Sequence, residues 1–163
     1  MIMKSIKNIA LSAMLTFGAF AAVTYTACTK DDCKDVVCNN GGTCNGGSCT
    51  CPTGYEGANC EILSREKFVG TYVGTEICDQ GTDNYSVTIS SNSNNIMVTV
   101  TNIYNQGFTG IGTMTGANSF SFNGSAGSTT YSGTGTLNGT QLTLTYSISS
   151  PAASNSCTFT GNK

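Results

Sequence analysis

From residue 68 to residue 161 the chain alternates apolar and polar side chains in short runs, each broken off by clusters of Gly, Asn and Ser. Eight such runs stand out, at 68–77, 84–90, 95–101, 107–115, 118–122, 128–137, 140–148 and 155–161. They are rich in Thr, Val and aromatic residues. A period of two places alternate side chains on one face, so each run predicts a half-buried β-strand. No stretch of useful length has a helical period. The expected class is therefore all-β.

The turns between the runs suggest how the strands connect. In "GTGTLNGTQLTLTYSI", Asn138-Gly139 sits between two alternating runs, the short code of a type I′ hairpin whose central residues need positive φ. That turn would pair Leu137 with Thr140, Gly135 with Leu142, Gly133 with Leu144 and Tyr131 with Tyr146. Glycines would then face larger side chains across the ladder, which helps a sheet curl. Asn123-Gly124 predicts a second hairpin. Antiparallel strands joined in sequence must hide their edges, and closure into an eight-stranded up-and-down barrel removes them; a two-sheet β-sandwich is the alternative. Cys78 ends the first run and Cys157 lies in the last. In a closed meander those strands are neighbours, so the two can bond, stabilising by about 4 kcal/mol in the chain-entropy model. The barrel is the stronger expectation.

The first part of the chain has a different texture. Lys4 and Lys7 precede an apolar run from Ile9 to Val23, and a small residue, Ala27, closes it. The run is shorter than the roughly 20 residues a bilayer span needs, so residues 1–27 read as a removed secretory signal rather than an anchor. "YTAC", Tyr25 to Cys28, resembles a bacterial lipoprotein cleavage box of the relaxed, Bacteroidota-like kind. The resemblance implies that Cys28 becomes the first mature residue, with diacylglycerol on its sulfur and a further acyl chain, such as palmitate, on its amine. At about 0.8 kcal/mol per buried methylene, two or three such chains give effectively permanent attachment. It also accounts for the odd number of cysteines, nine, by leaving eight to pair. "TKDD", Thr29 to Asp32, resembles the signal that sends such lipoproteins to the outside of the outer membrane. The implied localisation is a lipid anchor in that membrane facing the cell exterior, with the periplasmic face as the alternative. Residues 28–32 form the tether.

Six cysteines follow in "CKDVVCNNGGTCNGGSCTCPTGYEGANC", separated by four, five, four, one and eight residues. An exported chain points them toward disulfides, and spacing alone leaves the pairing open. The spacing and the closing "CTCPTGYEGANC" resemble an EGF-like module, assigned to residues 33–61. That resemblance implies the pairs Cys33–Cys44, Cys38–Cys49 and Cys51–Cys60. The few apolar side chains, chiefly Val36, Val37, Tyr55 and Ala58, cannot offset the ordering entropy of the backbone. Cross-links of about 2–4 kcal/mol each can. Zinc is disfavoured because an exported chain favours disulfides and the histidines common in structural sites are missing. Calcium is disfavoured because the loop "NGGS" supplies no oxygen cage beside Asp31 and Asp32.

A charged joint, "ILSREK", makes a short linker at residues 62–67, with one helical turn starting near Ser64. Beyond it, "FVGTY", Phe68 to Tyr72, resembles the aromatic-x-Gly opening of calycin and lipocalin-like barrels. "GTLNGTQLTLTY" and "CTFTG" resemble the closing strands of small lipocalin-like lipoprotein domains. Residues 68–163 are thus expected to form a lipocalin-like β-barrel.

Composition narrows the chemistry. The net charge is −2, no basic block is available for phosphates, and there is no histidine. Nucleic-acid binding is therefore not expected. Without a histidine base the abundant serines are not activated, so a general base must be a carboxylate. Between residues 64 and 163 the acids are Glu66, Glu76, Asp79 and Asp83. The last three cluster at one strand end, as a general base or a weak calcium site would require. The favoured reading of that cluster is a solvated loop beside a disulfide. The expectation is a protein that is not an enzyme, with no catalytic residues, cofactor or metal. It binds a protein, a glycan or a small apolar ligand at the cell surface. The alternatives are a carrier of a small apolar ligand inside the barrel and a proteinaceous hydrolase inhibitor.

Overall fold

A computed structural model describes residues 32–163. The signal at 1–27, the lipidation site Cys28 and most of the tether lie outside the described residues. Two compact units divide the chain after Asp35. In the first, the described residues 32–35 form a turn. Cys33 in that turn is disulfide-bonded, and so is Cys44. The second unit is Val36–Lys163.

That unit opens with a small hairpin, β1 (Thr43–Asn45) against β2 (Ser48–Thr50), in which Cys44 lies opposite Cys49. Gly46 and Gly47, both at positive φ, make the turn. Cys38 is bonded to Cys49 and Cys51 to Cys60. Between residues 36 and 61 only Gly54 and Cys60 are buried. Disulfides thus hold a segment with almost no core, as a chain that buries so little apolar surface requires.

A second small pair, β3 (Tyr55–Glu56) with β4 (Ile62–Leu63), leads into a 3₁₀ helix at Ser64–Phe68. Eight antiparallel strands follow: β5 (Gly70–Cys78), β6 (Gly81–Ser91), β7 (Met97–Ile103), β8 (Phe108–Gly116), β9 (Ser119–Ala126), β10 (Thr129–Asn138), β11 (Gln141–Ser149) and β12 (Ser154–Asn162). Each pairs with its neighbour in sequence, and β12 pairs with β5, closing an up-and-down barrel. Cys157 lies directly opposite Cys78, and the two are disulfide-bonded.

Alternation along every strand sorts the side chains. Tyr72, Val87, Ile89, Val98, Val100, Phe120, Phe122, Leu142, Leu144 and Phe159 are buried inside. Outward positions such as Thr130, Ser132, Thr134 and Thr136 are exposed hydroxyls. An apolar inside and a polar outside is the reverse of a lipid-facing barrel. Inward glycines make room for the rings. A Cβ on Gly135 would meet the Phe120 ring at 2.2 Å, and one on Gly124 would meet the Tyr131 ring at 2.3 Å.

Two details of the turns differ from the sequence expectation. The last hairpin turns at Gly139-Thr140, with Gly139 at φ 60°, so that Asn138 pairs with Gln141, Gly135 with Leu144 and Gly133 with Tyr146. The partners move by two residues, which keeps every side chain on its predicted face. Positive φ at the first turn residue alone is the type II′ pattern, and it takes the glycine out of Asn138-Gly139 as its leading residue. Asn123-Gly124 is no hairpin: both residues lie inside β9, where Gly124 is needed beneath the Tyr131 ring. The turn falls at Gly127-Ser128 instead, again with a positive-φ glycine first.

One end of the barrel is covered. The 3₁₀ helix places Phe68 inside, edge-on to Phe120 at 5.2 Å, and the Tyr72 hydroxyl donates to the Phe68 carbonyl at 2.8 Å. Arg65, 8 % exposed, donates to the carbonyls of Asn92 and Asn94 in the β6–β7 turn and of Met97 at the start of β7. Lys67 pairs with Glu56 at 2.7 Å and donates to Asn118, while Lys163 donates to the carbonyls of Lys67 and Val69. The disulfide-rich segment joins this cover. Ser64 N–H donates to the Gly54 carbonyl at 2.9 Å, and Gly54, at φ 91°, lies so close to Ile96 that a Cβ would meet it at 2.6 Å.

Candidate binding site

The opposite end is open. It is bordered by the turns joining β5 to β6, β7 to β8, β9 to β10 and β11 to β12. A cavity of 250 Å³ lies between them, walled by Gln80, Tyr104, Gln106, Phe108, Ile148 and Asn155 among others. A second, of 350 Å³, shares Gln80, Tyr104 and Asn155 and reaches Glu76, Cys78 and Asp83.

A bulge positions the aromatic wall. Between Thr101 and Ile103 the β7–β8 register shifts at Asn102, which adopts φ 67°. Its side chain fixes the bend, donating to the Ser86 carbonyl at 2.8 Å and accepting from Gly107 N–H at 2.9 Å. The extra residue re-aims the chain, so that Ile103 is buried while Tyr104 reaches the opening. Phe108 stacks on Tyr131, with centroids 5.5 Å apart and planes 2° from parallel.

Beneath lies a buried carboxylate. Glu76 is 2 % exposed, and its Oε1 accepts hydrogen bonds from the Tyr85 hydroxyl at 2.6 Å and from the Tyr146 hydroxyl. Burial pushes both phenols well above their ordinary range, and the hydrogen bond to Glu76 adds to that rise. They therefore remain donors to the carboxylate at any ordinary pH. Asn155, 6 % exposed, donates from Nδ2 to the Tyr104 hydroxyl at 3.1 Å, and its buried Oδ1 has no partner.

The carboxylate cluster singled out from sequence is thus split. Asp79 is exposed, accepts from Ser156 N–H at 3.1 Å and extends the β5–β12 edge by one residue. Asp83 is exposed at the rim. Glu76 is not a solvated loop residue: it points into the barrel, in phase with Tyr72 and Cys78. That phase was readable as period two. Tyr85, Tyr104, Tyr146 and Asn155 were not singled out from sequence, although Tyr85, Tyr146 and Asn155 also fall on inward positions.

Glu76, Cys78 and Cys157 bring an oxygen and two sulfurs within 4.8 Å of one another. They do not fit a metal, because both sulfurs are spent in the disulfide and Glu76 is engaged by two phenols. Among the described residues no helix is long and apolar enough to cross a membrane. No protein-family model, curated protein or solved structure matches this chain. The site is therefore read from its geometry.

Proposed function

We propose that this is a non-enzymatic binding protein held at the outer membrane by lipid on Cys28. In this reading an EGF-like segment presents a lipocalin-like barrel, whose open end is the binding surface. The observation that carries the reading is the difference between the barrel's two ends. One is covered by the 3₁₀ helix and residues 54–56, while the other presents cavities with a buried, unpartnered acceptor on Asn155. A rigid, disulfide-held scaffold loses little entropy on binding. Aromatic and aliphatic side chains fill the barrel interior, so the mouth offers a ligand more room than the interior does.

The anchor is tested by an intact mass of the non-reduced, detergent-extracted protein from its own host. The expected result is a chain that begins at Cys28 and carries two or three acyl chains, with the other thiols oxidised. Protease treatment of intact cells should then remove the barrel. An unlipidated chain, or one shielded from protease until the outer membrane is opened, would contradict surface display.

A further inference from the structure

We infer that the mouth of the barrel binds a small organic cation bearing N–H donors, of the primary-amine class. The inference rests on the reading that the open end is the binding surface, and it adds the chemistry of what enters.

Charge is distributed unevenly along the barrel axis. Within Val36–Lys163 the cationic side chains are Arg65, Lys67 and Lys163. All three are tied down at the covered end, to Asn92, Asn94, Glu56, Asn118 and the carbonyls of Lys67 and Val69. Glu76, Asp79 and Asp83 are at the other end, and no cation of this unit accompanies them. An anion entering the mouth would meet carboxylates alone, whereas a cation finds uncompensated charge in a concave site that focuses it.

Asn155 Oδ1 is a buried acceptor without a donor, and such atoms are rare because each carries an unrecovered desolvation cost. Its own Nδ2 is occupied by Tyr104, so the carbonyl oxygen is what remains for a ligand, and it calls for a donor. An ammonium supplies three donors and a charge.

The walls agree in size and character. Cavities of 250 and 350 Å³ suit a small molecule. Tyr104 and Phe108 offer aromatic faces of the kind cations favour. The amides of Gln80 and Gln106 can orient a second polar group. Glu76 is the buried carboxyl at the base of the site, held in place by Tyr85 and Tyr146.

The test is calorimetric titration of the mature chain, disulfides intact and in detergent, with putrescine as the probe. Saturable binding is expected. Glu76→Gln keeps the shape and removes the charge, and Asn155→Leu removes the acceptor. Each should weaken putrescine by about tenfold or more, as removal of a buried, charge-assisted contact does. Asp79→Asn and Asp83→Asn lie on the exposed rim and should weaken it by about two- to threefold each. The absence of saturable binding would overturn the proposal. So would binding that Glu76→Gln and Asn155→Leu leave unchanged, comparable affinity for glucose, or displacement of putrescine by equimolar calcium. Should either buried variant fail to show a cooperative melt, the exposed double variant Asp79→Asn/Asp83→Asn decides, and unchanged affinity there overturns the assignment. Lipid on Cys28 without amine binding would sink this inference alone. Amine binding by a chain that carries no lipid would sink only the anchor.

Discussion

The two ends of the barrel are built from the same alternating strands but are finished differently. At the covered end every cationic side chain of the compact unit is hydrogen-bonded to turn carbonyls or paired with an acid, and Phe68 packs edge-on against Phe120. At the open end the first and last strands are cross-linked by Cys78–Cys157, the carboxylates face no lysine or arginine of the unit, and Asn155 keeps an unpartnered oxygen. Packing and charge pairing stabilise the first end. A covalent bond and a buried Glu–Tyr network hold the second while leaving its polar groups available. Stability and recognition are thus separated along the barrel axis, so a change at the mouth can alter binding without dissolving the core.

The comparison is tested most severely at the covered end. Phe68→Ala removes a fully buried ring and should cost about 3–5 kcal/mol in denaturant unfolding. A loss under about 1 kcal/mol, as expected of an exposed side chain, would mean that the helix does not plug the barrel.

Replacing Cys78 and Cys157 together by Ala should cost about 2–4 kcal/mol. Hydrogen exchange should then quicken at the Cys78 and Cys157 ends of β5 and β12, while amides near Gly70 and Asn162 keep their protection. Uniform loosening along both strands would erase the proposed division of labour.

A smaller effect depends on pH. Burial pushes the Tyr72 phenol from 10.0 up to about 12. Tyr85, Tyr131 and Tyr146 shift in the same direction, each chiefly through burial. A raised value in the folded state means that the fold binds the proton more tightly. The associated stability is complete below pH 10.0 and is lost as pH climbs toward about 12. Stability measured by denaturant should therefore fall with a steepening slope above pH 10.0, and Tyr72→Phe should flatten part of that slope. A slope unchanged by the substitution would show that Tyr72 is not buried as described.

Much of this architecture could be read from residue order. Period-two runs of Thr, Val and aromatics predict eight strands and a closed barrel, and the barrel is what forms. Alternation is a local signal that each strand carries for itself. The turns were less legible because Asn-Gly is a code for one turn type, whereas a positive-φ glycine in first place makes another, as at Gly127 and Gly139. Only tertiary packing shows that Gly124 must lie under Tyr131. Glu76 has the phase of an inward residue, yet an acidic side chain between Thr75 and Ile77 reads as exposed until Tyr85 and Tyr146 are known to converge on it from β6 and β11. The cover formed by Gly54, Glu56, Arg65 and Lys67 depends on contacts with the β6–β7 and β8–β9 turns, and neither sequence pattern announces such pairings. The open cavity and the orphaned oxygen of Asn155 are likewise consequences of closure.

The central claim is that the open end binds and the covered end holds. Its most direct test is an amide chemical-shift map of the mature chain during titration with putrescine. The account predicts shifts confined to residues 76–83, 104–108 and 150–156. Shifts centred on residues 64–69, 92–96 and 117–118, or spread evenly around the barrel, would contradict it.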